Sequence, residues 1–294
     1  LEGNSVEHDL LDRVQSLVSR ARMSLVHVSP SNPLAEAIVL HWVLQKHCRS
    51  VEQELSVASS LLSCLRSGRL QWLQGWMGLL TFLATRQPDT GRFPALGTKE
   101  TLVLFVEVAG ILEDRQALLP SAFMRTLHST QAHLAALRGH VLLHLVEHFE
   151  EAVESLGGAE AFLVEATVKE KLTPWALQCR QDLVECHLRM NKYDSALALA
   201  LQFLNSVQAD EEQAEPAWLI SLPTTISWLE SCIGDLKMQF GQLGEARLWL
   251  EKAIKSDDQA GSHSIAWECA IGSWVEIFAL TNQSVSECCC LLLD

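Results

Sequence analysis

The chain has no run of about 20 apolar residues, the length that a bilayer-spanning helix needs. Its most apolar window, Trp72 to Ala84, is too short, so no membrane span is expected. It also has no cluster of basic residues: Lys and Arg total 22 against 36 Asp and Glu, for a formal net charge of −14. Nucleic-acid surfaces work by replacing counterions with clustered cations, so direct nucleic-acid binding is not expected. Alternating β-branched runs are scarce, which removes the pattern of half-buried strands. The chain opens Leu1-Glu2-Gly3 without a Met or a signal peptide and ends in the apolar run Leu291-Leu292-Leu293-Asp294. We expect a segment cut from a longer protein.

What is present is helix-forming and apolar. Hydrophobic residues make up 48% of the 294, which argues against disorder for the chain as a whole. Leu and Ala dominate, and both favour helix. The excess of acid is concentrated beyond about residue 97, as in Glu147, Glu150, Glu151 and Glu154 and again in Asp210, Glu211, Glu212 and Glu215. Nine cysteines lack the spacing of a disulfide framework. Cys48, Cys64, Cys179, Cys186, Cys232 and Cys269 fall in apolar helical patterns, where free Cys acts as a small hydrophobe. An odd count in a large chain points to a reducing, intracellular compartment, cytoplasmic or nuclear.

Punctuation divides the chain into helices. Val6–His27 has helical spacing, and Pro33 begins a second helix capped by Asn32 and running to about His47. Ser50 caps a third helix to Arg66, and a fourth covers Leu70–Thr85. The segment 87–97, dense in Pro and Gly, is the clearest loop and a candidate boundary. Helix resumes over Thr98–Glu113. A long helix is expected from Pro120 through Leu156, closed by Gly157-Gly158, then a short one to Lys171. Pro174 opens the last region, Gln208–Pro216 reads as an acidic loop, and Pro223 starts the next hairpin. The expected fold class is all-α, an α-solenoid of stacked helical hairpins. Three regions follow: 1–97, 98–173 and 174–294.

Within the last region, Gln178–Gln208, Trp228–Asp258 and Ala266–Asp294 read as variants of one hairpin. The middle unit places Gly234 at a helix contact, Gly241 at the turn, and Ala246 and Ala253 at helical spacing beyond it. The first unit has Val184, Asn191, Tyr193, Ala196 and Phe203 at the matching places, and the last has Gly272, Ser284 and Leu291. These units resemble the tetratricopeptide repeat family over about residues 175–294. The first two are offset by 50 residues, from Gln178 to Trp228, so an insertion separates them.

The resemblance implies a peptide-binding groove lined by the first helix of each unit. Its lining positions here include Gln178, Gln181 and Glu185, then Trp228, Ser231, Asp235 and Met238, then Cys269, Ser273 and Glu276. The Lys and Asn with which some family members clamp an acidic C-terminus are replaced by Gln181 and Glu185 and by Ser231 and Asp235. The implied groove is acidic and suits a basic or apolar partner segment. Gln181, Glu185, Trp228, Asp235, Met238 and Glu276 are the candidate partner-binding residues. The competing reading is a solvated acidic face, or one covered by another helix of the same protein.

No signal for catalysis survives inspection. His140, His144 and His148 recur every fourth residue with Glu151 next along, and two His at that spacing can hold zinc. The adjacent Glu of a metalloprotease motif is missing, because Val141 and Leu145 follow the histidines. His144, His148 and Glu151 are therefore only the metal candidates of last resort; the plainer reading is a His run flanking an apolar stripe. Gly91–Lys99 lacks the register of a phosphate loop. Cys186 and His187 are neighbours on a helix and point about 100° apart, which excludes a nucleophile–base pair. Cys288-Cys289-Cys290 has no polybasic run beside it to support lipidation. The expectation is a non-catalytic protein–protein interaction scaffold or adaptor with no cofactor, working inside a multi-subunit complex. The alternative is a regulatory or substrate-docking segment of a larger enzyme.

Overall fold

The computed structural model describes residues 33–46, 51–67, 73–86, 98–116, 124–215, 222–260 and 265–280. Among them every regular element is helical, so the protein is all-α. The chain divides into two compact units, Leu1–Val141 and Leu142–Asp294. The helix expected over Val6–His27 and the second helix of the last repeat, with Cys288-Cys289-Cys290, lie outside the described residues.

The first unit contains α1 (Pro33–Lys46), α2 (Val51–Ser67), α3 (Leu73–Arg86), α4 (Thr98–Gln116) and α5 (Met124–Val141). Each buries a stripe at helical spacing, such as Ala58, Leu61, Leu62 and Leu65 on α2 and Leu104, Phe105, Val108 and Leu112 on α4. Helix α3 touches α1, α2, α4 and α5, so its buried Trp76, Leu79, Leu80 and Leu83 form the centre of the unit.

The second unit opens with a π-helical turn, Leu142–Val146. It continues through α6 (Phe149–Val164), α7 (Val168–Lys171), α8 (Pro174–Arg189), α9 (Tyr193–Glu211), α10 (Leu222–Gln239), α11 (Leu243–Ala260) and α12 (Ile265–Leu280). Two expectations are corrected here. The long helix does not run from Pro120 through Leu156. It widens at Leu142–Val146 and breaks at Glu147, which sits at φ 59°, while the His148 amide reaches back to the Leu142 carbonyl at 3.0 Å. Gly157-Gly158 does not close a helix either, since α6 runs through both to Val164. Two interior glycines cost about 2 kcal/mol of helix propensity. Burying Leu156 and Leu163, each fully enclosed, returns roughly 1.5–3 kcal/mol apiece. The packing against α8 therefore outweighs the local preference.

The acidic loop is shorter than expected as well. Helix α9 continues to Glu211, with Val207 and Asp210 buried, and the loop begins at Glu212. Arg180 of α8 ties this part together. It is 2% exposed, bonds Glu160 of α6 at 3.2 Å and lies over the Phe203 ring of α9 at 5.6 Å.

Candidate functional site

The two complete hairpins of the second unit share one turn. In the first, Asn191 adopts φ 57° between α8 and α9; in the second, Gly241 adopts φ 71° between α10 and α11. The backbone bonds correspond at an offset of 50 residues. The Met190, Asn191, Lys192 and Ala196 amides bond the Cys186, Leu188, His187 and Lys192 carbonyls. The Phe240, Gly241, Gln242 and Ala246 amides bond the Leu236, Met238, Lys237 and Gln242 carbonyls. Both turns need a left-handed residue, which Gly and Asn supply at least cost.

Close approach of α10 to α11 follows from Gly234. A Cβ there would lie 2.7 Å from both Cγ and Cδ2 of Leu250. Polar rungs line the same seam: the Ser227 hydroxyl donates to the Ala253 carbonyl at 3.0 Å, and the Ser256 hydroxyl donates to Glu230 at 2.7 Å. Beyond it, Ala246, Leu250, Ala253, Ala270, Trp274 and Ile277 form a buried cluster between α11 and α12.

The first helices of the hairpins, α8, α10 and α12, touch in sequence order. Their contact gathers part of the expected acidic set. Cys232 on α10 lies in the field of Asp235, Glu185 and Cys269, and burial, the largest cause, pushes its thiol far above the usual range. Asp235 is half-buried, and its carboxylate is bonded by Ser273 of α12. Burial raises the Asp235 pKa; the Ser273 bond opposes that rise and the nearby Glu276 charge adds to it. One oxygen of Asp235, Oδ1, is buried without a hydrogen-bond partner.

The remaining candidates are placed differently. Glu185 is held by Arg189 at 2.7 Å, one turn along α8, so part of its charge is already compensated. Gln181 and Trp228 are half-buried on α8 and α10, and Glu276 is exposed on α12. Met238 packs against the α11–α12 cluster, which places at least part of it in the core seam.

The histidines part company. His144 Nε2 approaches Asp182 Oδ1 at 3.2 Å, and the Gln178 amide donates to the same oxygen at 2.8 Å. His148 Nδ1 meets Glu151 Oε1 at 3.1 Å in the exposed first turn of α6. Among the described residues, His148 and Glu151 are not gathered with His144 into one ligand set. The break at Glu147 separates residues that a continuous helix would have kept on one face. Asp182 is the partner of His144 that sequence reading missed. An acid beside the apolar Leu183 and Val184, four residues after Gln178, was its only signal.

Among the described residues most thiols are interior. Cys64, Cys179 and Cys186 are buried, Cys232 is half-buried and Cys269 is exposed. Burial, reinforced by Asp182 and Glu185, pushes Cys186 up to about 12, which makes it a poor nucleophile. No helix among the described residues is long and apolar enough to cross a membrane. Comparison with family models and with curated proteins finds no match.

Proposed function

We propose that the second unit is a non-catalytic protein–protein interaction scaffold of tetratricopeptide-like hairpins. Its α8–α10–α12 face would bind a basic or apolar segment of a protein partner within a larger assembly. The observation that carries this reading is the pair of hairpins with the same turn and the same bonding pattern 50 residues apart. Repeated hairpins form an extended surface ordered before the partner arrives, so little of the binding energy is lost to ordering it. Glu276, Asp235 and the partly compensated Glu185 give that face its sign. The test is fluorescence anisotropy of a labelled lysine-rich peptide and a glutamate-rich control. Preferential binding of the basic peptide that weakens with salt and with Glu276→Lys supports the reading. Equal binding of both peptides contradicts it.

A second reading, a docking segment of a larger enzyme, is favoured by one feature. Val275 and Leu280 on α12 are 44% and 58% exposed, an apolar surface suited to further protein. We place the protein inside the cell, on the strength of the odd cysteine count.

A further inference from the structure

The contact between α10 and α12 contains a polar group that simple packing does not explain. Asp235 is tied to α12 by Ser273, yet its Oδ1 is enclosed with no donor in reach. An enclosed carboxylate oxygen without a donor is costly when charged and far less so when the carboxyl carries a proton. Its charged surroundings give no relief. From α12, Glu276 adds a second negative charge. From α8, Glu185 acts on neighbouring Cys232, with Arg189 as its own partner. On α11, Glu245 is paired with Lys237 of α10, and Arg247 with Glu251. Among the described residues, neither α9 nor α11 contributes a charge that acts on Asp235.

We propose that Asp235 is a proton-operated latch between α10 and α12: uptake of a proton tightens their contact and lowers the negative charge of the acidic face. Protonation turns the buried carboxyl neutral, removes its repulsion from Glu276 and leaves the Ser273 bond in place. The raised native pKa sets the sign. Between the ordinary aspartate range and that raised value, the native state binds more protons than the unfolded state. Stability from this group is therefore present at acid pH and lost as pH rises through the native pKa. If the face binds a basic segment as proposed above, the same proton weakens that binding.

The test needs no partner. Thermal unfolding of the full chain would be followed from about pH 4.5 to about pH 8 for the native sequence, Asp235→Asn and Glu276→Gln. Asn carries the neutral charge of the protonated acid at nearly the same size. The latch predicts that Asp235→Asn melts about 2–4 °C above the native chain near neutral pH, the shift expected of about 1 kcal/mol in a unit of this size. That advantage should shrink toward zero at the acid end. Glu276→Gln should reduce the pH dependence of the native chain, since one source of repulsion is gone. A lower melting temperature for Asp235→Asn at neutral pH, or a difference constant across the range, would overturn the latch. So would a Glu276→Gln profile identical to the native one.

Discussion

Gly234→Ala tests whether α10 and α11 are held at the spacing that a missing Cβ allows. On an isolated helix this change is favourable by about 1 kcal/mol. In the structure the new methyl would sit 2.7 Å from Leu250 Cγ and Cδ2 and 3.3 Å from the Ala246 carbonyl oxygen. Carbon atoms normally pack at about 3.5–4.0 Å, so the overlap approaches 1 Å. Leu250 is fully buried, and Cγ is its branch point, so no flexible end can swing away. Overpacking of this kind costs roughly 1–3 kcal/mol. The net expectation is destabilisation by about 1 kcal/mol, or a fall of about 2–4 °C in Tm. Gly158→Ala is the control, because no atom lies within 4 Å of a Cβ there. It should stabilise by roughly 0.4–1 kcal/mol. Urea unfolding of both variants gives the two signs directly. Adding Leu250→Ala to Gly234→Ala should cost less than the sum of the two changes, since the smaller side chain makes room for the methyl. Equal stabilisation by Gly234→Ala and Gly158→Ala would refute the close-packing argument.

Gly241→Ala places a Cβ at φ 71° and should cost about 1–2 kcal/mol, whereas Gly241→Asn, the residue found at the equivalent turn, should cost clearly less; urea midpoints separate them. Arg180→Met leaves half-buried Glu160 without its Arg180 bond and should destabilise by about 2 kcal/mol, measured the same way, with much of the loss restored by Glu160→Gln in the double variant. In native protein at about pH 8, site-resolved thiol labelling should modify Cys269 and spare Cys179 and Cys186, because thiolate character and access decide reactivity. Rapid labelling of Cys186 would show that α8 opens far more readily than its packing implies.

The helices of the second unit were readable where one residue type forces one geometry. Pro174 and Pro223 stand within the first turns of α8 and α10, and Asn191 and Gly241 mark turns that need a left-handed residue. Gly234 and Ala246 were readable as close contacts because small residues at helical spacing have few other uses. The failures came where tertiary packing overrides local preference. Gly157-Gly158 has the composition of a helix end, yet Leu163 beyond it is buried, which is visible only once α8 lies alongside. The break at Glu147 leaves no Pro or Gly in the sequence to announce it. It redirected the histidine series, sending His144 to Asp182 and leaving His148 with Glu151. Of the candidate face, the repeat resemblance grouped Asp235, Ser273 and Glu276 together, and in the structure Ser273 bonds Asp235 with the Glu276 charge nearby. The resemblance said nothing of Arg189 holding Glu185, or of Met238 turning toward the core, since both depend on side-chain geometry within a turn.

The central claim, that the α8–α10–α12 face binds a protein partner through its negative charge, meets its most direct test in a paired purification. The chain and its Glu185→Lys, Glu276→Lys variant would be recovered side by side from cells, with matched helical content checked by circular dichroism and the bound proteins quantified. The account predicts a stoichiometric partner carrying a basic segment on the native chain and its loss from the variant. A partner retained equally by both would contradict the account and move the interface away from this face.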